Sequence, residues 1–328
     1  MPNESTPPVV SIVLPCLNES QVLTETVRRV SEVCRALLCT SEIVLVNDGS
    51  LDDTWSIMQR LAAADATIVA VNLSRNHGHQ LALSAGLWAA RGDRILIMDA
   101  DLQDPPELLP EMLQMMDRGV DVVYAQRRTR YGDSLSKRIF CSIYYRIAAR
   151  LADRPAPLDT GDFRLISRRI RDLLVEMPER SRYIRGMVSW LGFRQEPVFY
   201  DRDARFAGET KYPFTQLLSL AMNGILSTSV RPLAVAWLLG GIAMILCGLF
   251  LLYALASWIF VGTTPQGWTS LMFAIIFMGG IQMLMLGVIG EYLGRLVNQS
   301  RMRPMFLVDS IVRNGGTVER IWPQPDGR

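Results

Sequence analysis

Residues 94–98 (RILIM) form an apolar run that ends in Asp99-Ala100-Asp101-Leu102-Gln103. At the end of an extended strand, residues i, i+2 and i+4 share a face. Asp99, Asp101 and Gln103 are therefore placed to converge on one hard cation through oxygen ligands. Such a cation suits a diphosphate, because it bridges phosphate oxygens and neutralises leaving-group charge. A lone Asp-x-Asp also fits a solvated turn, with Pro105 opening a helix behind it. Position separates the two readings, since this motif follows the fourth strand of a βα series.

That series is read from the apolar runs 9–14, 42–46, 67–73, 94–98 and 120–125, each short and rich in β-branched residues. Continuous apolar runs of this length predict strands buried on both faces. Helical segments are expected at about 20–39, 52–64, 78–91 and 106–118. The alternation predicts an α/β fold with a mostly parallel sheet and helices on both sides. Ligands of such sheets bind at the carboxyl ends of the strands. There the chain places Asn18 and Glu19, Asp48, Arg75 and Asn76, Asp99 and Asp101, then Arg127 and Arg128. Beyond residue 130 an amphipathic helix is expected over 134–152, a loop over 153–165, a helix over 167–176 and a strand over 194–200.

The 328 residues carry a formal net charge of only +2, so electrostatics points to no nucleic-acid partner. Charge is unevenly spread, however: Pro232 to Gly290 contains no Asp, Glu, Lys or Arg. A bilayer demands such a stretch and a soluble core rarely tolerates it. It divides at the turn 262–267 into spans of about 233–260 and 269–290, each long enough at about 1.5 Å per residue to cross about 30 Å. Arg231 precedes the first span, and Arg295, Arg301 and Arg303 follow the second. The positive-inside rule then puts both ends in the cytoplasm and the hairpin tip outside. Residues 213–231 read as an amphipathic helix in the membrane interface; an ordinary core helix fits the pattern as well, and the adjoining span decides for the interface. The five cysteines have no paired spacing and are expected reduced. The start MPNESTPPVV has neither the basic nor the apolar region of a signal peptide. No GxGxxG or GxxxxGK[ST] is present, against dinucleotide and P-loop readings.

The segments SIVLPCLNE (11–19), VNDGSLDDT (46–54), NHGHQLALSAGL (76–87), DADLQDPPE (99–107), LDTGDFRLISRR (158–169) and RDARFAGETKY (202–212) resemble family 2 glycosyltransferases of the polyprenyl-phosphate type. These include dolichyl-phosphate mannose synthase and the GtrB-like bactoprenol glucosyl transferases. The resemblance spans nearly the whole chain and implies a GT-A fold. It implies a UDP- or GDP-sugar donor, a polyprenyl phosphate acceptor, Mg2+ or Mn2+, and an inverting transfer in a bacterial inner-membrane homo-oligomer. The chain divides accordingly into a cytoplasmic catalytic domain (1–212), the interfacial helix (213–231), a transmembrane hairpin (232–294) and a cytoplasmic tail (295–328). Carried over by motif, Pro15, Leu17, Glu19 and Asn76 line the nucleotide and Asp48 accepts from the base. Asp99 and Asp101 meet the ribose, diphosphate and metal, with Asp101 and Gln103 the direct ligands. Asp162 or Asp159 is the acidic position at the reacting centre, and one of the two caps the helix that follows.

Residues 126–138 (QRRTRYGDSLSKR) form a basic run. Such a run is usually a solvated face. A phosphate acceptor approaching a nucleotide diphosphate requires cations between the two anions, and arginine forks match phosphate oxygens. Arg127 and Arg138 are expected on the acceptor phosphate, with Lys137 as a third candidate; Arg205 and Lys211 are expected to close over the diphosphate. An acceptor phosphate with its second pKa near about 6 is already an anionic nucleophile, so Asp162 is expected to position charge rather than remove a proton. His77 and His79 form an HxH pair without a third metal ligand nearby, and read as part of the loop between nucleotide and sugar. A processive polysaccharide synthase would carry QxxRW, which is absent, the Arg182–Gly186 segment lying in a different context. A non-catalytic nucleotide-sugar-binding subunit would not need an intact Asp-x-Asp, a basic loop and LDTGDFRL together.

Overall fold

The computed structural model describes residues 9–37, 39–127, 160–180, 182–200, 240–246, 248–249, 252–253, 256, 259–260, 267–313 and 317–319. The proposed interfacial helix, half of the first span, and Arg128, Asp159, Lys137, Arg138, Arg205 and Lys211 lie outside these residues. Two compact units divide the chain; the first carries the sheet and the second the long apolar helix.

The first unit contains a nine-stranded sheet in the order β7-β5-β6-β4-β1-β2-β3-β8-β9. Its strands are β1 (Val10–Cys16), β2 (Ser41–Asn47), β3 (Ile68–Leu73), β4 (Arg94–Ile97), β5 (Val122–Arg127), β6 (Thr160–Ser167), β7 (Gln195–Tyr200), β8 (Val308–Arg313) and β9 (Thr317–Glu319). The neighbours β4, β1, β2 and β3 are parallel, as the alternating pattern predicts. Successive residues of β1 feed opposite faces. Ile12 and Leu14 join one core with α1 (Leu23–Ala36), α2 (Thr54–Ala64) and α4 (Leu109–Asp117). Val13 joins the other, with α3 (His79–Ala89), α5 (Arg168–Glu176) and α6 (Ile184–Leu191). Both faces are therefore covered, which is why these strands read as continuous apolar runs. In α1 the buried residues Leu23, Thr26, Val27, Val30 and Cys34 keep the spacing of one helical stripe. Cys16, Cys34 and Cys39 are free thiols.

Two expectations need correction. Residues 160–165 are not loop but part of β6, which lies antiparallel between β4 and β5. The nearby Pro155, Pro157 and Gly161 dominate the local signal, whereas the strand is held by neighbours distant in sequence. The strand β4 also stops at Ile97, and Leu102 takes a left-handed φ of 62°. The chain through Asp99, Asp101 and Gln103 is thus a turning loop, not an extended strand end.

The stretch expected as a C-terminal tail supplies β8, antiparallel to β3, and β9 beyond it. Phe306, Val308, Ile311 and Val312 are buried there. In the second unit, α7 (Trp268–Ser300) extends past the expected span to include Glu291 and Arg295. Within it Ala274–Ser300 is, among the described residues, the one helix long and apolar enough to cross a membrane.

Ile311 is fully buried, so β8 contributes to the core as well as to the sheet edge. Ile311→Ala is expected to cost about 2–5 kcal/mol. Chemical denaturation of the purified chain in detergent reads this directly, and an unchanged midpoint would contradict the docking of β8.

Candidate active site

The site is built at the carboxyl ends of β1, β2 and β4. Residues 17–19 follow β1: Pro15 is buried within the strand, paired with Val46, while Leu17 is exposed. This loop is held to the next one by backbone N–H groups. Asn18 donates to the Ser50 hydroxyl (3.0 Å), and Glu19 to the Thr54 hydroxyl (2.9 Å). Ser20 donates to Asp52 (3.2 Å). Against the desolvation that would raise it, hydrogen bonds from Ser20 and Thr54 hold the Asp52 carboxyl below its ordinary value.

Asp48 directly follows β2 and is buried. Its two carboxylate oxygens accept from the backbone N–H groups of His77 (2.7 Å) and Gly78 (3.0 Å). An anion placed just before α3 also complements the helix N-terminus. Burial pushes the Asp48 carboxyl up, and those two N–H donors partly offset it. The carboxylate expected to meet a base is thus first the anchor of the 75–78 loop; each oxygen keeps a second lone pair. Two glycines make the arrangement possible. A Cβ on Gly49 would lie 2.4 Å from the backbone nitrogen of the exposed Asn76. Gly78 sits at φ 96°, where other residues are strained.

Asp162, on β6, is the most heavily engaged carboxylate. Its side chain is 6% exposed. Gln80 donates to Oδ2 at 2.8 Å and Arg185 to Oδ1 at 3.2 Å; His79 Nε2 lies 3.2 Å from Oδ2. The same Gln80 accepts from the Ile184 backbone N–H (2.9 Å), and Arg185 also donates to the Thr160 carbonyl (3.1 Å). The buried Arg164 guanidinium donates to the carbonyls of Gly161 and Asp162. Burial would raise the Asp162 carboxyl, but Arg185, His79 and Arg164 hold it well below the usual carboxylate range. Burial lowers Arg164 to about 10, leaving it charged at neutral pH.

His79 spans the centre. Its Nε2 is 3.7 Å from Asp99 as well as 3.2 Å from Asp162. Desolvation lowers its pKa, but the bond to Asp162 and the charge of Asp99 outweigh it, so the net shift is upward. Asp101 accepts from the Gln103 backbone N–H (3.2 Å), which folds the loop back on itself. Asp99 and Asp101 are half-exposed while Gln103 is nearly buried behind them. The loop is braced from α1, where Thr26 donates to the Ala100 carbonyl (2.8 Å) and Arg29 pairs with Glu107 (2.9 Å).

Arg127 ends β5 and lies beside this centre: a Cβ on Gly161 would be 3.5 Å from its Nη2. The structure therefore brings Asp99 and Asp162 together through His79, and places Arg127 against the strand that carries Asp162. The sequence pattern puts His79 in the loop between nucleotide and sugar but assigns no role to Gln80, Arg164 or Arg185. Gln80 and Arg164 stand in the motifs 76–87 and 158–169, whereas Arg185 lies in the Arg182–Gly186 segment.

Glycosyl transferase family 2 matches residues 11–174, which contain the 46–54 and 99–107 loops and Asp162. This chain belongs to that family. The transferase is 42% identical to an uncharacterized glycosyltransferase, YkcC, of Bacillus subtilis over 91% of its own length and 92% of the relative's. A prophage bactoprenol glucosyl transferase homolog of Escherichia coli is 35% identical, covering 92% and 99% of the two chains. The bactoprenol glucosyl transferase of Shigella phage SfV is 34% identical, covering 91% and 97%. The chain is thus a glycosyltransferase with a GT-A-like α/β sheet, and its relatives match it over most of its length.

The depressed Asp162 carboxyl makes a pH prediction. Its folded pKa lies below an unfolded value of about 3.9, so its stabilisation is present above that pH and is lost as pH falls below about 4. Asp162→Asn is expected to cost roughly 3 kcal/mol at neutral pH, because buried cations lose their partner. The variant should also lack this part of the acid-side decline in melting temperature. Parallel acid profiles for the variant and the parent would count against it.

Proposed function

We propose that the transferase moves a hexose, glucose from UDP-glucose as the first candidate, onto a polyprenyl phosphate at the cytoplasmic leaflet. The observation that carries this reading is the end-to-end alignment with bactoprenol glucosyl transferases, through both the catalytic sheet and the membrane-length helix. In the reaction, an oxygen of the acceptor phosphate bonds to the anomeric carbon. The bond from that carbon to the diphosphate breaks on the opposite face, and its electron pair leaves with UDP.

Asp99, Asp101 and Gln103 form an all-oxygen donor set suited to Mg2+ or Mn2+. Among the described residues no group of three or more His, Cys, Asp or Glu gathers as a metal site. A cation held there would take its remaining ligands from diphosphate and water. When bound, it neutralises charge on the departing diphosphate. Asp48 with Asn76, and the Pro15–Glu19 loop, are assigned to the nucleotide. Asp162 is assigned to charge placement: a carboxylate held ionised by Gln80, His79 and Arg185 is a poor base, and a phosphate dianion needs none. Arg127 is assigned to the acceptor phosphate, together with Arg138 and Lys137, while Asp159, Arg205 and Lys211 keep their sequence-based assignments.

Topology adds support. Strands β3 and β8 pair in one sheet, so Leu73 and Val308 lie on the same side of any membrane. The chain between them must cross an even number of times. With Ala274–Ser300 as one crossing, the charge-free stretch before it is assigned the other. This is the hairpin with its tip outside.

Radiolabelled sugar from UDP-glucose should appear in a lipid extract when undecaprenyl phosphate is supplied, and EDTA or Asp101→Asn should abolish it. Label appearing only in polymer would favour a processive synthase, and no transfer from any sugar nucleotide would favour a binding subunit. Arg127→Ala should raise the acceptor KM by one to two decades, for a lost contact of about 1.5–3 kcal/mol, while UDP affinity stays constant. Asp48→Ala should do the reverse; loss of UDP binding in the arginine variant instead would move Arg127 to the donor.

For the hairpin, a cysteine introduced as Thr264→Cys should react with an impermeant maleimide in intact cells. Reaction only after permeabilisation would refute the external tip.

A further inference from the structure

The loop 99–107 and the arginine at the end of β5 are joined by a side chain that neither motif contains. Arg127 and Tyr200 are register partners at the ends of the parallel strands β5 and β7. Arg127 Nε donates to the Tyr200 hydroxyl at 3.3 Å, and that hydroxyl donates to Asp104 Oδ1 at 3.0 Å. Asp104 directly follows Gln103. Tyr200 and Asp104 are only 4% and 3% exposed, so the relay is shielded from competing water.

We propose that Tyr200 is a positioning residue for the acceptor phosphate, aiming Arg127 through a relay anchored on Asp104. The proposal rests on the reading above that Arg127 takes that phosphate. Three features support it. First, the direction of the bonds is consistent: a guanidinium only donates, a carboxylate only accepts, and the hydroxyl between them does both. Burial, and then the Asp104 charge, push the Tyr200 hydroxyl up to about 12, so it remains protonated to donate.

Second, the relay commits the Nε of Arg127 and sets the plane of the guanidinium. The Nη2 end lies against Gly161, the neighbour of Asp162, 3.5 Å from where a Cβ there would stand. A guanidinium held from behind at Nε offers its Nη edge to an oxyanion, and an arginine fixed in this way loses less entropy on binding.

Third, the neutral hydroxyl is a spacer. A carboxylate in direct contact would neutralise the arginine and compete with the phosphate. With the hydroxyl between them, Asp104 orients the cation without pairing to it. The loop carrying the donor-side ligands therefore also sets the acceptor-side cation.

The Tyr200 ring packs edge-on against Phe163, with centroids 5.8 Å apart and planes at 82°. Tyr200→Phe keeps that packing and removes only the hydroxyl. With the full-length protein in detergent, undecaprenyl phosphate as acceptor and labelled UDP-glucose as donor, the variant should raise the acceptor KM about fivefold, because Arg127 keeps its charge and loses only its orientation. The rate at saturating acceptor and the UDP affinity by calorimetry should stay close to those of the parent, while the melting temperature should fall modestly because the buried Asp104 loses a donor. In the Arg127→Ala background, Tyr200→Phe should have no further effect on the acceptor KM, because both changes act through one guanidinium.

An equal effect of Tyr200→Phe with and without Arg127 would overturn the relay, as would lost UDP affinity with a normal acceptor KM. Asp104→Asn keeps an oxygen that accepts from the hydroxyl, so it should raise the acceptor KM less than Asp104→Ala; the opposite order also refutes the relay. If Arg127→Ala raises the acceptor KM and Tyr200→Phe does not, the relay alone fails. If Arg127→Ala leaves it unchanged, the acceptor assignment of Arg127 fails.

Discussion

Burying an ionised carboxylate is costly, and the fold around Asp162 is arranged by that constraint. Removing a carboxylate from water must be offset by donors and cations close at hand. Gln80 comes from the first turn of α3, Arg185 from the first turn of α6, and Arg164 from two residues along β6 itself. Three elements are thereby tied at one point. Gln80 strengthens the tie because its amide donates to Asp162 and accepts from Ile184. The first turn of α3 is also held from its other side, where Asp48 accepts from His77 and Gly78. One short segment, His77 to Gln80, thus links the two halves of the site.

The same economy appears in the polar loops. Asp52, Asp48 and Asp104 each accept hydrogen bonds from neighbouring segments, through Ser20 and Thr54, His77 and Gly78, and Tyr200 respectively. Of these acids Asp48 and Asp104 are buried and Asp52 is exposed, while Asp99 and Asp101 are half-buried. A cluster of acids at strand ends therefore contains two kinds of residue. Some brace neighbouring loops, and others, Asp99 and Asp101, are the ones assigned above to a charged ligand.

The return of the chain after the long helix is a second constraint with wide consequences. Leu307 receives the Ser74 backbone N–H at its carbonyl (2.9 Å) and directs its own N–H toward His77 Nε2 (3.4 Å). Burial, then Arg75, lower the His77 pKa, which suits a neutral ring accepting at Nε2. Phe306 meets Trp88 edge-on, and Asn72 donates to Asp309. The last part of the chain thus supports the loop beside Asp48, although the apolar helix separates it in sequence from the rest of the sheet.

Much of this molecule could be read from local pattern. The strands β1 to β5 appear as apolar runs because both faces are covered, 194–200 reads as an extended segment and is β7, and α1 to α4 follow from the segments between the runs. The polar residues at the strand ends pointed to the site, and the absence of charge marked a membrane-length helix. Tertiary structure alone decided the rest. Nothing local in Thr160–Ser167 announces a strand, since β4 and β5 hold it from about 40 to 70 residues away. Nothing near Arg185 announces a partner at Asp162, and Gly161 reads as a turn although it lies in β6 beside Arg127. The β8 strand pairs with β3 from more than 230 positions away. Periodicity records which face of a segment is buried; it holds no information about which distant segment buries it. A buried charge depends on that partner, so its surroundings are specified only when the chain has folded.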